Sequence, residues 1–424
     1  MRGSPSQLSD TVAVMSIDLA FVRSQFPAFA DAESARWAHL ENAGGSYAAG
    51  QVVDLLTSLF STAKVQPSWD FGPSQRATAA MDRSRLAMAA LLNAGPDEIH
   101  FGPSTSQNTY VLAQAMRPMW QDGDEIVVTE QDHEANSGVW RRLAETGLVV
   151  RDWKVDPVTG LLDPGDLDEL VNERTRLVAM THASNVAATM NPVAEVARRV
   201  HAVGGLVLVD GVSYAPHGAV DVAALDCDVY LYSAYKTFGP HVGMMFVRGS
   251  LLPQLSHQGH FFNESHLDTR VTPAGPDHAV IGATAGIADY YDALHAHHFS
   301  EEASPLERVR SVSGLFAEHE AGLMAPLLDL LNRRDGVRVV GSPLADSSVR
   351  APTVAFASER CSSASIYDAL IAAEVSCGHG HFYAHRLVTA LGLDPDDGVV
   401  RLSMVHYNTS EEVARSLAVL DPLL

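Results

Sequence analysis

Apolar residues in this chain fall into short unbroken runs more often than into strict alternation. The clearest are Glu125-Ile-Val-Val-Thr129, 148–153, 177–180, 206–209 and 229–232. Runs of this length, apolar on both faces, predict strands buried on both sides of a sheet. Between them the apolar positions recur at helical spacing, which predicts helices over 48–62, 74–92, 109–116, 164–171 and 193–202, with another from Asp132 through Trp140. Asp163 stands as an N-cap before Pro164, a common helix start. Strand and helix in alternation predict an α/β fold around a mainly parallel sheet covered on both faces. A short helix over 17–26 and a strand with a glycine turn over 37–45 precede this part, and 98–101 and 242–247 read as two further strands.

The pattern changes after residue 255. The stretch 256–275 is polar, rich in His, Phe and Gly, and predicts either a loop over a site or an interface arm. Helices follow over 279–295 and 304–332. Short strands at 338–340, 353–356 and 399–404, with helices over 365–373 and 410–420, predict a small α+β unit. His295, His297 and His298 read as a solvated helix end and not as a metal site, because no carboxylate accompanies them at metal-ligand spacing.

Composition narrows the class of protein. The chain has 424 residues, 46% hydrophobic and 19% charged, enough for a large domain and a smaller one. A net charge of −22 argues against a nucleic-acid or anionic-membrane partner. Cys227, Cys361 and Cys377 cannot build a disulfide framework, so a cytoplasmic setting is expected. No apolar run has the length of a signal peptide core or a membrane span. Residues 1–14 read as a loose leader, with Met15 as an alternative start.

In a parallel sheet ligands sit at the carboxyl ends of the strands. Five strand ends here carry suitable chemistry: Ser104 to Asn108, His133, Ser184-Asn185, Asp210, and Ser233 to Lys236. The run Ser104-Thr-Ser-Gln-Asn108 exceeds what capping requires and predicts an anion site at a helix N-terminus. Lysine is scarce, with only Lys64, Lys154 and Lys236 in the chain. Lys64 reads as solvated and Lys154 as an edge-strand charge, while Lys236 alone follows a strand rich in Tyr and Val and precedes a Gly-Pro turn, in Val229-Tyr-Leu-Tyr-Ser-Ala-Tyr-Lys-Thr-Phe-Gly-Pro240. A lysine drawn partly out of water becomes a nucleophilic amine, and the chemistry that uses one is a Schiff base, most often with pyridoxal 5'-phosphate (PLP).

The segment Leu225-Asp-Cys-Asp-Val-Tyr-Leu-Tyr-Ser-Ala-Tyr-Lys-Thr-Phe-Gly-Pro240, together with Leu208-Val-Asp-Gly-Val212, resembles fold-type I PLP enzymes of the class V aminotransferase family, in its cysteine desulfurase-like group. The likeness spans about residues 38 to 420. It implies a leader and helix over 1–37, a large PLP-binding domain over 38–298 with a seven-stranded sheet, and a small C-terminal domain over 299–424. By the same resemblance Lys236 carries the Schiff base and moves the α-proton, and Asp210 pairs with the pyridine nitrogen. His133 and Val212 sandwich the ring, and Asn185 bonds its phenolic oxygen with Ser213 nearby. Thr105, Ser106 and Ser233 hold the phosphate. Arg401 takes the substrate carboxylate, and Asn42 lines the substrate side.

The sequence departs from the family pattern at several points. Tyr235 stands where desulfurases have a histidine, as a further phosphate contact, and Ser213 stands in place of a glutamine. In Ser376-Cys-Gly-His-Gly-His-Phe-Tyr-Ala384, His381 aligns with the cysteine that accepts sulfur as a persulfide, and Cys377 lies four residues earlier. The resemblance therefore implies a small amino-acid substrate and a carbon–sulfur lyase, with His381 or Tyr383 as an acid. An aminotransferase, a racemase or epimerase, or another β- or γ-elimination enzyme would use the same residues. A PLP-binding regulator without turnover is the reading from a different class. A homodimer is expected, although Gly275 replaces the usual threonine in the segment that would reach a partner. A sulfur-acceptor protein would suit desulfurase chemistry, but no residue points to one.

Overall fold

The computed structural model describes residues 16–424, so the leader and Met15 lie outside the described residues. Seven strands form the main sheet, in the spatial order Ile99–Gly102, Gly243–Val247, Val229–Ser233, Leu206–Asp210, Thr175–Thr181, Glu125–Thr129 and Val149–Trp153. Gly243–Val247 runs antiparallel to both neighbours, and the pairings from Val229–Ser233 to Val149–Trp153 are parallel. The unbroken apolar runs have a direct cause. Val207, Val209, Val178, Met180, Tyr230 and Tyr232 pack into one core, while Leu208, Leu177, Ala179, Val229 and Leu231 pack into another on the opposite face. Both faces of these central strands are covered, so neither alternate set is polar. The edge strand Val149–Trp153, expected to be buried on both sides, is covered only in part, with Val149 41% exposed.

A four-stranded antiparallel sheet holds Gly378–Gly380, Val399–Ser403, Thr353–Ser358 and Val337–Val339 in that order. The helix Pro305–Asn332 leads into it and opens with a capping box. The Ser304 hydroxyl accepts from the Glu307 amide, and the Glu307 carboxylate accepts from the Ser304 amide at 2.8 Å. A two-residue parallel pairing of Ala38–His39 with Val375–Ser376 brings the start of the chain onto this unit.

Several elements differ from expectation. The helix expected from residue 109 is Thr105–Met116, because Ser104 caps it by accepting from the Gln107 amide at 3.2 Å. Thr105 and Ser106 therefore lie in its first turn. The helix expected over 279–295 is two, His278–Ala283 and Ala285–His298. The stretch 256–275 holds only two short 3₁₀ turns. The histidine trio is solvated only in part, with His297 exposed and His295 buried. His297 stacks on Phe21 at 3.7 Å and pairs with Asp18 at 3.0 Å, and His298 accepts from the Asp18 amide at 2.8 Å. His297 and His298 together dock the first helix, Leu19–Ser24.

Among the described residues no helix is long and apolar enough to cross a membrane, and no cluster of three or more His, Cys, Asp or Glu could hold a metal ion.

Candidate active site

A cavity of about 460 Å³ opens at the carboxyl ends of the parallel strands. Into it come Thr105, Ser106, His133, Asn185, Asp210, Val212, Ser213, Ser233, Tyr235, Lys236 and Tyr383. A larger cleft of about 620 Å³ runs beside Arg23–Ala30, away from these strand ends. Lys64 and Lys154 are exposed, and Lys64 pairs with Asp277 at 2.8 Å, so Lys236 is the lysine at the cavity.

The strand Val229–Ser233 is buried along its length and breaks into the 3₁₀ turn Ala234–Lys236, which aims Lys236 into the cavity. Burial, and then the charge of Arg401, push its amine down to about 8, while Asp210 and Glu41 pull the other way. Asp210 ends the neighbouring strand. One of its oxygens accepts from the Val212 amide at 3.0 Å, and burial holds its carboxyl above the ordinary range. A cation in the cavity would restore its charge.

The opposite wall is a helix N-terminus. The Thr105 and Ser233 hydroxyls touch at 2.6 Å, joining the first turn of Thr105–Met116 to the end of the Lys236 strand. Gly243 permits this approach, since a Cβ there would sit 2.4 Å from the Ser104 carbonyl carbon and 2.6 Å from the Thr105 nitrogen. Free amides, hydroxyls and the helix dipole converge there, an arrangement that can hold a phosphate.

His133 caps the helix Glu134–Arg142. Its Nδ1 accepts from the Ala135 amide at 3.0 Å, which leaves Nε2 to carry the proton. Burial, then Lys236 and Arg401, push it down to about 4, so the ring is neutral at physiological pH. Asp132 beside it is also buried and is pushed up to about 8 by that burial. It accepts from the Thr129 hydroxyl and, at 2.7 Å, from the Asn136 side-chain nitrogen. The Asn185 side-chain nitrogen donates to the Phe382 carbonyl at 2.9 Å, and its buried Oδ1 has no partner. A buried polar atom left without a partner at the cavity wall marks a place for a polar group of a ligand. A nucleophilic amine, a facing carboxyl, an anion cradle and an open amide together fit PLP.

Three expected site residues do not line the cavity. Asn42 spends its whole side chain on structure. Its nitrogen donates to the carbonyls of His39 and Ser403, both at 2.9 Å, and to Asn408 Oδ1 at 3.1 Å, while its oxygen accepts from the Tyr407 hydroxyl. His381 turns its Nδ1 to the Tyr383 amide at 3.1 Å, and its ring lies 5.4 Å from that of His385. Arg401 is only 3% exposed. It pairs with Glu41, donates to the Asn185 carbonyl at 3.1 Å and lies 3.9 Å over the Phe382 ring.

The sequence reading missed Tyr110, Glu134, Thr181 and His241 in the lining. His241 stacks on Tyr235 at 4.5 Å, and its place just after the Gly239-Pro240 turn was the available signal. Cys377 is buried in the apolar core of the small sheet, where burial and the charge of Glu41 push its thiol up to about 12. That is the reverse of a reactive thiolate's surroundings.

Sheet, lysine, carboxyl and anion cradle define a PLP-dependent enzyme of fold type I. The profile described as "Aminotransferase class-V" matches residues 38–415, and the chain belongs to that family. It is 36% identical over 419 residues to the aminotransferase-like protein FGM3 of Gibberella zeae, covering 96% of this chain and 99% of that one. It is 30% identical to a probable cysteine desulfurase of Pseudomonas aeruginosa, covering 94% and 96%. The crystal structure of the cysteine desulfurase CsdA from Escherichia coli superposes with a TM-score of 0.79 at 25% identity, covering 96% of this chain and 98% of that one.

Proposed function

We propose that this protein is a carbon–sulfur lyase of the cysteine desulfurase-like group, acting on a small amino acid without a persulfide relay of its own. The observation that carries the reading is the amine of Lys236, depressed to about 8 at the wall of a cavity that contains Asp210 and a hydroxyl-rich helix N-terminus but no thiol. Bound PLP supplies a carbonyl for amines and an electron sink for bonds broken at the substrate's Cα.

The remaining work falls to the chain. Thr105, Ser106 and Ser233 hold the phosphate, with Tyr235 and His241 stacked beside them. Asp210 keeps a proton on the ring nitrogen, because a buried carboxylate is most stable next to a cation. Neutral His133 and Val212 hold the ring faces, and Asn185 and Ser213 its polar edge. Lys236, once released by an incoming amine, takes the proton from Cα. Tyr383, 68% exposed at the cavity mouth, is placed better than His381 to protonate a leaving group. Arg401 anchors the substrate carboxylate. A homodimer in the cytoplasm completes the reading, and the three free cysteines fit a reducing compartment.

The test is a product balance on the PLP-loaded protein with L-cysteine. Cysteine and water give sulfide, pyruvate and ammonia without a reductant, and these three in equal amounts are expected. Cys377→Ala should leave that balance unchanged. Alanine in place of pyruvate, lost in Cys377→Ala, would instead mean a persulfide relay. No sulfide with either protein would sink the carbon–sulfur reading.

A further inference from the structure

Arg401 is already occupied by a carboxylate of the chain itself. Its Nη2 pairs with Glu41 Oε1, and its Nη1 is taken by the Asn185 carbonyl. The pair is only half made. Nε of Arg401 and Oε2 of Glu41 are both buried and both without a partner. A guanidinium binds a carboxylate best through two parallel bonds, and each buried polar atom left alone carries a desolvation penalty. Two glycines make the berth for Glu41. A Cβ on Gly44 would stand 2.7 Å from Glu41 Oε1, and one on Gly378 would stand 3.3 Å from its Cδ.

We propose that Glu41 is a resident competitor for Arg401, a reading that rests on Arg401 as the carboxylate anchor. It neutralises the buried guanidinium while no substrate is present and must leave before an α-carboxylate can dock. An incoming carboxylate can restore the lost charge pair and also satisfy Nε. A neutral amide or ester can do neither. Glu41 thereby lowers affinity for every ligand that needs the anchor and selects for amino acids with a free carboxylate. It is a specificity-determining and positioning residue, acting through Arg401.

The experiment is a titration of the PLP-loaded protein with L-alanine and with L-alaninamide, followed by the cofactor's absorbance. If Glu41 holds Arg401 in about nine molecules of ten, its removal tightens alanine on the order of tenfold, because apparent affinity scales with the fraction of competent protein. Glu41→Gln should show that gain for alanine and leave alaninamide where it was, and in turnover of L-cysteine it should lower KM rather than change kcat. Glu41→Asp keeps the charge but is one methylene shorter, so it should also tighten alanine, and it serves if the glutamine variant folds poorly. Unchanged or weaker alanine binding in the folded variants overturns the proposal. Arg401→Gln separates the two readings. If it fails to weaken alanine relative to alaninamide, the anchor assignment itself is wrong. If it weakens alanine while the Glu41 variants change nothing, only the competitor role falls.

Discussion

Lys236→Ala should abolish the absorbance of lysine-linked cofactor and lower turnover by about 10⁴-fold or more, the size expected when a positioned acid–base group and nucleophile is lost. No other lysine can substitute, because Lys64 and Lys154 are exposed and line no part of the cavity. The depressed amine adds a dependence on pH. With its midpoint at about 8, roughly a quarter of Lys236 is unprotonated at pH 7.5, against roughly one in a thousand for an ordinary lysine. The free amine is the form that attacks a carbonyl, so loading of cofactor-free protein should quicken as pH rises and level off above about pH 8 to 9. Loading that still accelerates between pH 9 and 10.5 would mean that Lys236 keeps an ordinary amine. An absorbance band retained in the alanine variant would refute the assignment of Lys236 altogether.

Asp210→Asn should cost about 10²–10³-fold in kcat, in the range found for losing one preorganised electrostatic partner of a reacting group. The two side chains have the same shape, and an asparagine oxygen can still accept from the Val212 amide, so the sheet end should survive. What disappears is the negative charge. The ring nitrogen would then lose its proton more readily, and the electron sink would weaken. Cofactor absorbance as a function of pH reads this directly, with the band's protonation midpoint moving down. A variant that keeps kcat within about threefold, with its spectrum unmoved, would show that Asp210 does not serve the ring nitrogen.

The main sheet was legible because its strands are short, apolar on both faces and separated by helices of ordinary spacing. Each of the strands over 125–247 lies within two residues of its expected bounds. The cavity was legible for a related reason. Strand ends are fixed by the sheet, so Asp210, Ser233 and the residues following them had few places to go. Legibility failed where the backbone takes a shape without a pattern. Gly378–Gly380 is a strand of two glycines and a histidine, with nothing apolar to mark it, and the short helix His385–Ala390 was missed beside it. Phe382 and Tyr383 are successive residues with positive φ, 48° and 58°, an arrangement uncommon for large side chains. This local geometry turns His381 away while presenting Tyr383. Arg401 was located correctly on its strand, but no sequence rule names the carboxylate that holds it. Asn42 was expected at the substrate side by resemblance alone, and it lies in a segment that spends its side chain on hydrogen bonds to His39, Ser403, Asn408 and Tyr407.

The loop around Phe382 and Tyr383 hangs on a different support from the rest of the cavity. It is tied across the cleft by the Glu134 amide to the Tyr383 carbonyl at 2.8 Å, by Asn185 to the Phe382 carbonyl, and by Arg386 to Glu134. Its neighbouring strand, by contrast, belongs to the small sheet. The groups that suit the cofactor thus stand on one scaffold, and the tyrosine at the mouth is borne by another. A lineage can rewrite a few residues of such a loop while inheriting unaltered the wall beneath it. The unit on which selection can act independently here is smaller than a domain: it is the turn that carries Phe382 and Tyr383.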